Sequence, residues 1–267
     1  MSRPLVTGLY VPGDRPDRFD KAVASGADLV ILDLEDAVAP RHKDEARKNV
    51  VEWLASRRET EGPRIEIRVN GPEDLPALAG LDPDIGLRVP KIEQLSDVDA
   101  FSGRPVTALL ETARGVENAA SIAAHPVVTR IALGESDLAS DLGSAAATLI
   151  DHARIRVLFA ARSAGLPAPM LSVYPDFRDL DGLRADTERG RNLGWFGRTA
   201  VHPSQLAVID DVFASTQQSV RWARSVLEAL KGGGVTTLPS GEMVDAAMAG
   251  RARLILERAL RVGGSSI

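Results

Sequence analysis

The sequence predicts an α/β fold: a TIM (β/α)8 barrel followed by a C-terminal helical arm. Three observations carry that expectation. Eight short apolar runs alternate with helical stretches, a rhythm that implies parallel strands joined by crossover helices. Eight such units in about 225 residues suit a closed barrel better than an open sheet, and no Gly-x-Gly-x-x-Gly follows the first run to suggest a dinucleotide fold. A glycine run, Gly232–Gly234, then breaks the pattern ahead of a further helical stretch, Gly241–Val262, outside the eightfold count. The expected domains are therefore a barrel over residues 1–230 and an arm over 231–267.

Taken in order, Leu5–Val11 is the first strand and Arg15–Ser25 its helix. Leu29–Leu34 leads to Lys43–Arg58, where Ala46, Val50, Trp53 and Leu54 recur at helical spacing. Ile65–Val69 and Ile85–Val89 follow, separated by a short proline-rich connection. Val106–Leu110 runs into the helix Val116–Ala124, and Arg130–Leu133 into Ala145–Ala164. Met170–Val173 precedes the charged helix Arg178–Leu193, and Arg198–Val201 precedes a last helix from Gln205.

Composition narrows the chemistry. A chain of 267 residues with 44% hydrophobic and 26% charged residues buries an ordinary globular core. It has no cysteine, so any metal is held by oxygen or by the four histidines. A formal charge of −5 argues against non-specific nucleic-acid binding, yet leaves room for an anionic small molecule met by local arginines. The N-terminal Met1-Ser2-Arg3-Pro4 opens no signal-peptide core and no apolar run reaches membrane-span length, so a cytoplasmic protein is expected.

In such barrels chemistry collects where strands run out into the following loops. Glu111 and Asp137 leave two consecutive strands and could face one point on the mouth. Paired carboxylates without a nearby histidine suit a hard cation such as Mg2+, which takes one or two carboxylates and leaves its other positions to water and substrate. The plainer reading is that each caps a helix or pairs with an arginine, Arg114 being close enough to serve. Arg68 ends the alternating stretch "IEIRVN", and its planar fork suits a carboxylate; a salt bridge to Glu35 or Asp36 is the competing role. Lys91 is similarly open. His202, at the last strand's end, suits a site or a structural place equally.

These residues sit in stretches that resemble a known family. "LYVPGDRPDRFDKA", "DLVILDLEDAVAPRHKDEAR", "IRVN", "VPKIE", "LLETARGVENAASIA", "GESDLASDLG", "LGWFGRTAVHPSQLAVID" and "SGEMVDAAMAGRARLIL" run in that family's order along nearly the whole chain. The chain resembles the citrate lyase β-subunit family within the HpcH/HpaI aldolase–citrate lyase superfamily, which includes malyl-CoA and citramalyl-CoA lyases. The resemblance implies a TIM barrel, Mg2+, and lyase chemistry on a coenzyme A thioester. A 3-hydroxyacyl-CoA such as citramalyl-CoA, malyl-CoA or citryl-CoA would be cleaved to acetyl-CoA and a 2-oxo acid, or formed from them.

By the same resemblance, Glu111 and Asp137 match metal ligands and Arg68 the arginine that meets the substrate carboxylate. Asp245 matches a catalytic acid that the arm delivers to a neighbouring subunit, which implies a homo-oligomer, a trimer or a multiple of one. Glu35 and Asp36 match acids supporting the metal's water and the arginine. Pro12 and Gly13, with His202 and Pro203, match segments near the coenzyme A thioester and its pantetheine arm. Two departures stand out. Ser136 occupies a place where the family usually has an acid, with Glu135 just before it where a small residue is usual. Leu171 stands where the family tends to have an aspartate. The alternatives kept open are a thioesterase or a free 2-oxo acid aldolase on the same site, or a non-catalytic acyl-CoA-binding subunit of a larger lyase complex.

Overall fold

The computed structural model describes residues 4–57 and 62–262. Met1–Arg3, Arg58 at the end of the expected second helix, and the arm's last residues, 263–267, lie outside the described residues. Two compact units emerge. One spans Leu5–Asp210; the other holds the chain from Asp211 onward.

The first unit is a parallel sheet that follows the chain. Its strands are β1 (Thr7–Pro12), β2 (Leu29–Asp33), β3 (Arg64–Arg68), β4 (Gly86–Val89), β5 (Val106–Leu110), β6 (Val128–Leu133) and β7 (Arg198–Ala200), ordered β6-β5-β4-β3-β2-β1-β7. The remaining run, Met170–Val173, seventh in chain order, is extended beside β7 but pairs through a single bridge, Leu171 to Arg198. The sheet thus curls as a half-barrel of the TIM type. Among the described residues no ladder joins β6 to Met170–Val173.

Local chemistry explains the elements. All five residues of β2 are buried, as a strand covered on both faces requires. Helix Lys43–Ser56 buries Ala46, Val50 and Leu54, four residues apart, against the sheet. Each fully buried Leu or Ile of this core contributes roughly 1.5–3 kcal/mol. Asp28, at the foot of β2, accepts the Val6 and Thr7 amides at 2.7 and 2.9 Å and so sets the register of β1. Gly197 has φ +86° and a Cβ there would meet the Val6 carbonyl at 2.7 Å, so only glycine fits ahead of β7.

Inside the barrel the pleat turns alternate residues of β3 inward. Arg64, Glu66 and Arg68 therefore climb the axis from floor to mouth. Buried Glu66 accepts from Arg88 Nη2 at 3.0 Å and from the Thr107 hydroxyl at 3.0 Å.

The barrel unit closes at Asp210, earlier than the break expected after residue 230. Helix Gln217–Ala229 belongs with the C-terminal segment because its apolar face, Ala223 and Val226, packs with Leu238, Val244 and Ala252. Ala252 comes from helix Ala246–Val262, and between the two helices runs a two-residue hairpin, Thr236–Thr237 with Met243–Val244.

Candidate active site at the barrel mouth

A cavity of about 360 Å3 opens at the C-terminal ends of the strands. Tyr10, Arg68, Glu111, Ser136 and Asp137 line it, with Pro12, Asp36 and Leu171.

Glu111 follows β5 directly and is 3% exposed. Its Oε2 accepts the Lys91 amide at 2.9 Å. Burial pushes its carboxyl up to about 7; the Lys91 amide works against this, while the nearby charges of Asp137 and Glu35 add to it. Lys91 holds φ +57°, a left-handed backbone that side chains rarely adopt, and this aims its amide at Glu111. The lysine ammonium donates to Glu35 Oε1 at 3.0 Å, so two carboxylates fix the strained residue.

Asp137 lies in the first turn of a short helix, Glu135–Asp141, that follows β6. It is exposed, and no hydrogen bond engages it among the described residues. Gly134, the residue ahead of that helix, lets β6 approach β5: a Cβ there would meet Glu111 Cγ at 2.5 Å. The mouth thus holds one buried carboxyl with an elevated pKa and one unengaged carboxylate. Among the described residues no group of three or more His, Asp or Glu forms a closed metal site. The donor set suits an open oxygen site for a hard cation, which would hold Glu111 ionised.

Arg68 is 11% exposed in its side chain, and three acids surround it. Its Nε and Nη2 donate to the two Asp33 oxygens at 2.8 and 2.6 Å, and Nη1 lies 2.9 Å from Glu35 and 3.3 Å from Asp36. Burial opposes its charge, but the hydrogen bonds and charge of Asp33 outweigh that and hold its pKa above the ordinary arginine value. The guanidinium also sits over the Tyr10 ring, 5.1 Å from its centroid.

Of the residues singled out from sequence, Arg68, Glu111, Asp137, Asp36 and Pro12 line one cavity, and Glu35 and Lys91 form a charged pair behind them. Gly13 stands at the rim, where a Cβ would meet the Asp33 carbonyl at 2.9 Å. His202 and Pro203 are exposed; the His202 ring stacks on Phe177 at 4.9 Å, and its Nδ1 accepts the Ser204 amide. Asp245 belongs to the other unit, where it caps the following helix by accepting the Ala247 amide at 2.9 Å. Leu171 is fully buried.

Sequence reading missed Asp33, Tyr10 and Arg88, which hold or underlie the arginine. The available signal was pleat parity, since Asp33 continues the inward series Leu29, Ile31.

A parallel barrel with a charged cavity at the C-terminal ends of its strands has the architecture of a barrel enzyme. The HpcH/HpaI aldolase/citrate lyase family matches residues 6–203, and the chain belongs to that enzyme family. A (3S)-malyl-CoA thioesterase of Cereibacter sphaeroides is 37% identical over 246 residues, covering 86% of this chain and 84% of the relative. An L-malyl-CoA/beta-methylmalyl-CoA lyase of the same species is 30% identical, covering 97% and 95%. The crystal structure of CitE from Mycobacterium tuberculosis with magnesium, acetoacetate and coenzyme A superposes with a TM-score of 0.83 at 33% identity, covering 97% and 99%. No described helix is long and apolar enough to cross a membrane.

Proposed function

We propose that the protein is a magnesium-dependent carbon–carbon lyase of a 3-hydroxyacyl-CoA thioester, with malyl-CoA, citramalyl-CoA and citryl-CoA as candidate substrates. The reading rests on one observation: Glu111, Asp137 and Arg68 line a single cavity, two hard-cation donors beside a carboxylate-binding fork. Glu111 and Asp137 would hold the ion, which supplies a template for the oxo-acid oxygens and Lewis acidity for the new carbonyl.

The chain's own groups do the rest. Arg68, pre-aligned by Asp33, pairs with the substrate carboxylate, and exposed Asp36 is the acid that this carboxylate displaces. The 3-hydroxyl gives its proton up to solvent and its oxygen becomes the new carbonyl of the 2-oxo acid, while the electron pair of the broken bond between the alpha and beta carbons stays on acetyl-CoA as the enolate. Asp245, delivered from a neighbouring subunit's arm, protonates the enolate carbon; in condensation it removes that proton. Pro12 and Gly13, with His202 and Pro203, flank the path of the coenzyme A chain. On this reading the protein is a cytoplasmic homo-oligomer, a trimer or a multiple of one.

Hydrolysis on the same site is the second reading, favoured by the thioesterase relative at 37% identity. Both need the ion. Glu111→Gln and Asp137→Asn should each abolish Mg2+ binding and Mg2+-dependent turnover of malyl-CoA and citramalyl-CoA. Unchanged affinity in both variants sinks the metal assignment.

A further inference from the structure

The three acids of Glu135–Asp141 have unequal employment. Asp137 is unengaged, Asp141 accepts the Ala113 amide at 2.7 Å, and Glu135 has both oxygens taken by Arg154 at 2.8 Å each. Arg154 comes from helix Ala147–Ser163, its side chain 2% exposed. Its other bonds go to Asp151 of its own helix, at 3.5 Å, and to Asp186 of helix Leu180–Asn192, whose carboxylate also pairs with Arg198 on β7. One guanidinium thus ties the first turn after β6 to two outer helices and, through Asp186, to β7.

That turn needs such a tie. A seven-residue helix is too short to hold itself, and Gly134 at its N-cap offers no side-chain cap. Three anchors fix it: Leu138 buried in the core, Asp141 on Ala113, and Glu135 on Arg154. Glu135 and Leu138 both flank Asp137 in the first turn, and of these two only Glu135 is tied by hydrogen bonds to distant elements.

We propose that Arg154, through Glu135, is a positioning residue that sets where Asp137 meets a divalent cation. The inference rests on the reading of Glu111 and Asp137 as a cation site. It makes Glu135 a strut rather than a ligand, and it predicts the sign of a charge change. A cation merely near the site repels the metal, so removing it tightens binding. A positioning arginine does the reverse.

The test is Mn2+ titrated calorimetrically into the substrate-free full chain, with thermal unfolding recorded for every variant. Arg154→Lys keeps the charge but cannot grip both carboxylates, and its affinity should fall about 10-fold. Arg154→Gln should also weaken binding. Asp151→Asn, which loosens the far side of the same cluster, should leave affinity within twofold. Unchanged affinity in Arg154→Lys, tighter binding in Arg154→Gln, or an equal loss in Asp151→Asn each overturns the proposal. Where Arg154→Gln fails to fold, Arg154→Lys carries the decision. Asp137→Asn separates the two levels: if it binds Mn2+ like the parent chain, the cation site falls and the positioning role with it.

Discussion

Glu111 links the mouth's geometry to a pH response. Burial first, then the charges of Asp137 and Glu35, lift its carboxyl from 4.5 to about 7 in the folded chain. Between those values the folded state keeps a proton that the unfolded chain has released. Its contribution to stability is therefore full below pH 4.5 and lost as the pH rises through about 7. Metal-free protein should show this falling component in its melting temperature from about pH 5 to 8, and Glu111→Gln should remove it. Arg68→Lys tests the neighbouring group. A point charge cannot reproduce the two-pronged hold of Asp33, so thioester turnover should drop roughly 100-fold while Mn2+ affinity stays near that of the parent. Glu111, Asp137 and Arg68 were legible in the sequence because each stands where a strand runs out. Asp33, Tyr10 and Arg88 were missed because they sit within strands, where only the parity of the pleat, as in Leu29, Ile31 and Asp33 on β2, marks them as facing the axis.

At the scale of elements, the contact between β5 and β6 decides where the two carboxylates meet. Gly134 gives up its side-chain space to Glu111, with a Cβ reaching Glu111 Oε1 at 2.6 Å. Gly134→Ala should fold with a loss of about 1–3 kcal/mol, as overpacking does, and should displace the Glu111 carboxylate. Mn2+ affinity then falls about 10-fold, out of proportion to the small change in melting temperature. The apolar runs could be placed from sequence because burial of both sheet faces writes itself as near-continuous hydrophobicity in β2 and β5, and β3 shows itself by alternation. The helix Glu135–Asp141 could not. Its stability comes from Arg154 and Ala113, distant in sequence, and no capping side chain announces its start.

On the whole-molecule scale, the chain divides into a barrel and a C-terminal helical unit that begins at Asp211. Amphipathic spacing in Gln217–Ala229 reads equally as a barrel helix or as a partner for Ala246–Val262. Packing of Ala223 and Val226 with Ala252 decides it, and that contact spans too much sequence for a periodicity to reveal. If Asp245 acts in a neighbouring subunit, Asp245→Asn and Glu111→Gln chains, each inactive alone, should recover turnover when refolded together. Persistent inactivity in demonstrably mixed oligomers would contradict action between subunits.

The central claim is cleavage of a carbon–carbon bond under the direction of a bound ion. The most direct measurement follows products from malyl-CoA and citramalyl-CoA by mass spectrometry, with Mg2+ and then with EDTA. The account predicts acetyl-CoA and a 2-oxo acid in equal amounts, in at least one case, with turnover abolished by EDTA and restored by Mg2+. Free coenzyme A released with the intact hydroxy acid, or cleavage indifferent to EDTA, would contradict it.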